Sequence, residues 1–166
     1  MTAWSNVIKA SPMKFGQTSL AHMTITFDEI DAGGVVYHPY HLKICDRARN
    51  QGFAAIGWGI DRQMALREGF TVFSAEQRYL RPIRMEDVSV ASRLVEHSKR
   101  SITVQHAIFG GTKTWDEVQN AHGALDQMSG CRFFAQVKLV YIANASSTSL
   151  AMPEAIRQAL GLQALL

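Results

Sequence analysis

The chain has 166 residues, 47% hydrophobic and 19% charged, a composition that fits one soluble domain with its own core and calls for no second one. Its net charge of +3, without a Lys/Arg stripe interleaved with aromatics, is too mild for nucleic acid but suits a small phosphate-bearing ligand. No run approaches the roughly 18 apolar residues that cross a bilayer, Met1–Gln17 lacks the apolar centre of a signal peptide, and two cysteines, Cys45 and Cys131, do not make a disulfide framework. A cytoplasmic protein without a membrane partner is expected.

In chain order, His22–Phe27 places Met23, Ile25 and Phe27 on one side and reads as a first strand. The stretch Asp31-Ala-Gly-Gly-Val-Val-Tyr-His-Pro39 follows. Gly33 and Gly34 permit positive φ and close approach to a ligand, and Pro39 fits the first helical position, where its missing N–H costs nothing. A helix should therefore start near His38, with amides that find no partner inside it and can hold an anion or a polarised carbonyl oxygen. Asp31 lies just upstream, and a carboxylate beside oriented amides suits acyl transfer.

From Pro39 to about Gly57, the residues Ile44, Cys45, Ala48, Gly52, Ala55 and Ile56 recur at three- and four-residue spacing as one buried stripe. Asp61–Glu68 reads as a second, short helix capped by Asp61. The period then switches to two, and Phe70–Leu80, Val88–Val95, Ile102–Phe109 and Arg132–Ile142 read as strands, with Ser98–Ser101 as a hairpin turn between the middle pair. Gly111–Gly130 has no sustained period and reads as a long loop or an extended hairpin; Pro153–Leu160 is a short helix or a tail. The pattern is α+β, one long helix beside an antiparallel sheet of about five strands. A single domain is expected, with its core over about 20–143 and a tail over 144–166.

Other readings compete at each candidate. Asp31 could be only a turn-former. Asp28 reads as a solvated loop charge, and Glu29 sits close to Asp31 without a role of its own. His38 and His41 have helical spacing for a metal pair but no third ligand, so no metal is expected. Asp46 could simply pair with Arg49 or Asn50. Arg78, Arg81 and Arg84 are equally basic and cannot be ranked from sequence.

Phe27-Asp-Glu-Ile-Asp31-Ala-Gly-Gly-Val-Val-Tyr-His-Pro39, followed by Asp46-Arg-Ala-Arg49, resembles the signature of the 4-hydroxybenzoyl-CoA thioesterase and YbgC-like branch of the hotdog-fold acyl-CoA thioesterases. The resemblance covers roughly Met23–Ile142, leaving out Gly110–Gly130. It implies a hotdog fold and hydrolysis of an aryl- or short acyl-CoA ester. Asp31 would be nucleophile or general base, with Tyr37 and His38 completing the catalytic set and the His38 amide facing the thioester oxygen. Gly34, Val35 and Asp46 would contact the acyl group, Asp46 accepting from a ring hydroxyl. Lys99, Arg100 and Ser101 would contact the CoA phosphates. Coenzyme A belongs to the substrate, so no cofactor is expected, and the resemblance implies a homodimer or homotetramer paired edge to edge, with sites at the interface. A thioesterase acting on acyl carrier protein esters and a non-catalytic acyl-CoA binding module are the alternatives.

Overall fold

In the computed structural model, residues 7–120 and 123–162 are described. The first six residues of the Met1–Gln17 stretch and the last four of the tail lie outside them. The elements are β1 (Val7–Ala10), β2 (Thr18–Thr24), α1 (His38–Ala54), α2 (Ile60–Leu66), β3 (Glu68–Tyr79), β4 (Asp87–His97), β5 (Ser101–Gly110), α3 (Trp115–Gln119), β6 (Cys131–Ala143), β7 (Thr148–Ser149) and α4 (Glu154–Ala159). The strands form one antiparallel sheet in the order β1-β2-β4-β5-β6-β3, with β7 added on β6. The sheet thus holds β1 and β7 in addition to the five strands expected.

Helix α1 packs on β1, β2, β4 and β5, and the main core fills the space between. Ile44, Cys45, Ala48 and Gly52 face it as their spacing requires, joined by Phe53. At Gly52 a methyl group would stand 3.0 Å from Ser19 Oγ and 3.2 Å from Met13 Cβ, so the small residue lets the helix seat closely. The helix stops earlier than the stripe suggested. Trp58 N–H donates to the Phe53 carbonyl across Gly57, which has φ +79°, a closing turn that needs glycine. Ala55 and Ile56 therefore lie in the turn, Ala55 exposed and Ile56 only partly buried.

Two boundaries differ from expectation for local reasons. The first strand ends at Thr24, not Phe27, because Thr26 begins a 3-10 turn over Phe27–Glu29. The Thr26 amide donates to Glu29 Oε2 at 3.0 Å, the reach-back of a capping box, and Phe27 is left 83% exposed. In α2 the cap is Gly59, and Asp61 sits in the first turn.

The 111–130 segment carries α3 and a 3-10 turn at Leu125–Gln127. Thr114 and Glu117 bond reciprocally to start α3. Val118 and Leu125 are buried against Leu20, Ala91, Phe109 and Phe134 on the outer face of the sheet. This second, smaller apolar layer lies opposite the one under α1.

Candidate active site

The Asp31 loop is held from both sides. Its backbone closes on itself through Asp31 N–H to the Val35 carbonyl, 2.9 Å, and Gly34 N–H to the Asp31 carbonyl, 3.0 Å, with Gly34 at φ +74°. Val36 N–H donates to the Ile83 carbonyl at 2.8 Å and Tyr37 N–H to the Glu29 carbonyl at 2.9 Å. The Glu29 carboxylate is buried and ion-paired with Arg47 of α1, so the loop is clamped to the same helix whose start it precedes.

Asp31 Oδ1 accepts from the Gly33 amide at 2.8 Å and sits 3.4 Å from the Val35 amide. A side chain at Gly33 would come within 3.1 Å of that oxygen. Oδ2 has no partner among the described residues, so one carboxylate oxygen is fixed and the other is free. Asp31 lines a cleft of about 360 Å³ with Val35, His38, His41, Tyr79 and Arg81. The His38 amide is the first of α1, where no intrahelical acceptor exists. Asp31 and the first residue of α1 thus line one concavity.

His41 is buried at 6% exposure and packs against the rings of Tyr79 and Phe133 at 5.0 and 4.8 Å. Its Nδ1 lies 3.2 Å from the His38 carbonyl. Burial lowers its pKa, with the carbonyls of His38 and Tyr37 opposing the shift. The Tyr79 hydroxyl stands 3.3 Å from the same His38 carbonyl and 3.0 Å from Gln77 Oε1. Neither His41 nor Tyr79 stood out in the sequence as part of an acid–base site.

The remaining candidates separate. Tyr37 does not line the cleft: its amide is spent on Glu29 and its ring packs on His38 at 4.6 Å. Gly34 shapes the turn, while Val35 reaches the cleft. Asp46 lies outside it and pairs with Arg49 at 2.6 Å; Arg49 in turn is buried within 3.5 Å of His106 Nε2. Asp28 is exposed, and the Thr26 hydroxyl holds its carboxyl below the usual range. Among the described residues no cluster of three His, Cys, Asp or Glu could hold a metal.

The cations differ in where they stand relative to the cleft. Arg81 lines the cleft and Arg84 Nη1 would be 3.8 Å from a Cβ on Gly34. Arg78 is turned to the outer face, on Asp126 and over the Phe134 ring. Lys99, Arg100 and Ser101 lie at the far end of β4. That strand runs from Asp87, paired with Thr24 beside the loop, to His97, which at ~3.3 Å per residue is roughly 30 Å. There the Lys99 carbonyl accepts from Met152 N–H and Arg100 Nη1 reaches the Ser149 carbonyl.

The family model of the thioesterase-like superfamily matches residues 25–160. The chain belongs to that superfamily. No curated sequence matches this thioesterase-like chain. Among solved structures it is similar to a 1,4-dihydroxy-2-naphthoyl-CoA thioesterase from Synechocystis, with TM-score 0.70 and 14% identity over 86% of this chain and 95% of the other. A DHNA-CoA thioesterase from Staphylococcus aureus superposes with TM-score 0.66 and 16% identity over 81% and 80% of the two chains. A second Staphylococcus aureus protein, solved in complex with CoA, gives TM-score 0.70 and 12% identity over 94% and 92%. At these identities the likeness is one of fold: this thioesterase-like chain has the α+β hotdog architecture, with one long helix against a curled antiparallel sheet.

Proposed function

We propose that the chain hydrolyses an acyl-CoA thioester to the free acid and CoA in the Asp31 cleft. The His38 amide polarises the thioester carbonyl, and Asp31 attacks the carbonyl carbon or activates water. The observation that carries this reading is that Asp31, with one carboxylate oxygen unpartnered among the described residues, and His38, the first residue of α1, line one cleft. The CoA complex of one structural relative supports CoA as the thiol carrier, and the aryl-CoA thioesterases among the relatives support an aryl acyl group. CoA enters as substrate, and the chemistry needs no separate cofactor.

Arg81 and Arg84 are the cations of the same chain placed to meet CoA phosphates. The Lys99–Ser101 hairpin lies beyond the end of β4 opposite the Asp87–Thr24 pair, a strand length of roughly 30 Å, and is assigned to the cleft of a second copy. Such pairing has a place to occur: among the described residues β3 bonds to β6 alone, and Val72 and Phe73 on it are 48% and 71% exposed. A long unprotected edge strand is a template for joining another sheet. We expect a homodimer, or a tetramer built from two dimers. Light scattering should show it, and Val72→Lys with Phe73→Lys should shift the mass toward monomer; a monomeric wild type with full activity overturns the pairing.

A thiol-release assay across hydroxybenzoyl-, benzoyl- and short alkyl-CoA esters, with an acyl carrier protein ester alongside, tests the function. Turnover of CoA esters is expected, with aryl esters ahead. Because Asp46 is engaged by Arg49, Asp46→Ala should leave the ratio of hydroxybenzoyl to benzoyl kcat/KM unchanged while lowering stability, since it removes the carboxylate that compensates a buried guanidinium. A tenfold fall in that ratio would instead place a ring hydroxyl on Asp46. Faster alkyl esters would transfer the assignment to the aliphatic, YbgC-like reading. Turnover of the carrier ester alone, or tight binding without thiol release, would favour the carrier-protein thioesterase or the binding module.

A further inference from the structure

His41 holds a position that Asp31 chemistry does not by itself use. A carbonyl oxygen can only accept a hydrogen bond, so the 3.2 Å contact of Nδ1 with the His38 carbonyl puts the ring proton on Nδ1. The Tyr79 ring meets the imidazole at an interplanar angle of 81° and the Phe133 ring at 40°. Nε2 then carries a lone pair, has no protein partner among the described residues, and belongs to a side chain that lines the cleft with Asp31. The His38 ring, by contrast, is exposed and packed on Tyr37. Burial favours the neutral imidazole, which is the form that can take up a proton.

We infer that His41 is a second catalytic residue of this cleft, its Nε2 accepting the proton of the attacking water while Asp31 serves as the nucleophile. The inference rests on the thioesterase reading. Asp31 Oδ2 bonds to the thioester carbon, the C–S bond breaks with its electron pair on sulfur, and an acyl-aspartyl anhydride and a thiolate result. An acylated Asp31 is no longer a base. Water then attacks the anhydride and its proton passes to Nε2. The C–O bond to Asp31 breaks with its pair on the carboxylate, and the imidazolium returns its proton to the thiolate. The sum is thioester plus water giving acid plus thiol.

Rapid-mixing measurement of thiol release from benzoyl-CoA distinguishes the two residues. His41→Gln should keep a burst of about one thiol per site and then turn over about a hundredfold more slowly than wild type, whereas Asp31→Asn should give no burst. A His41→Gln rate within threefold of wild type, or loss of its burst, overturns the inference. The wild-type protein gives an independent readout: nitrogen-15 NMR of its histidines near neutral pH should show His41 protonated at Nδ1 alone, and a proton on Nε2 overturns the assignment even if the variant does not fold. If the wild type releases thiol from no ester, the thioesterase reading fails, while the NMR result still decides the tautomer.

Discussion

Asp31→Asn is expected to lower kcat by about 10²–10⁴-fold, some 3–5 kcal/mol of barrier, the range found when a positioned proton-transfer group or its equivalent is removed. The amide keeps a carbonyl oxygen to accept from the Gly33 N–H, as Asp31 Oδ1 does at 2.8 Å, so the turn persists. What it loses is the charge and lone-pair basicity of the free oxygen. The thermal midpoint and the affinity for a CoA ester should therefore stay close to wild type, and only turnover should fall. Near-normal turnover in this variant, read by thiol release, would remove Asp31 from the chemistry and the proposed mechanism with it.

The second large effect is structural. Glu29 and Arg47 are 1% and 7% exposed and paired, and Glu29 also receives the Thr26 amide. Among the described residues Arg47 Nε has no partner even in the intact pair. Glu29→Ala would leave a buried guanidinium uncompensated, which costs about 3–5 kcal/mol, a large share of the ~5–15 kcal/mol that holds a domain together. Replacing both residues with apolar ones, Glu29→Leu with Arg47→Met, should recover most of that loss, because it removes the desolvated charges together. Urea unfolding of the two variants checks both statements. A loss below ~1 kcal/mol in Glu29→Ala would mean that the pair is hydrated and does not clamp the loop.

How much of this was readable in the chain depends on the range of each interaction. Helix α1 and the strands β3 to β6 repeat their period long enough to reveal themselves, and Gly33-Gly34 before Pro39 marks a turn into a helix by local chemistry alone. Strand β2 was half missed because Ser19 is buried in it by donating to the Ser11 carbonyl at 2.5 Å, which breaks the alternation of apolar and polar residues. Thr26-x-x-Glu29 and Thr114-x-x-Glu117 spell capping boxes, so the first 3-10 turn and α3 carry a local signal in the sequence. Arg47, Arg49 and His106 in the interior were not legible. Each is tolerated there only through partners brought up by the fold, and a charge on a helix reads as a solvent face until its partner is known. The separation of Lys99 from Asp31 needed the strand register, and the tautomer of His41 needed the carbonyl one turn before it.

The two cysteines, unpaired and buried, sit in different apolar layers: Cys45 in the core under α1 and Cys131 in the outer layer beneath the 111–130 segment. Burial raises the Cys45 thiol far above its ordinary range and pushes Cys131 up to about 11. Since the thiolate is the reactive form, both are shielded from alkylation while their layers stay closed. The chain thus carries its own pair of chemical clocks. One ticks when the outer covering lifts and the other only when the central helix leaves the sheet, so local opening and global unfolding leave separate marks on the same molecule.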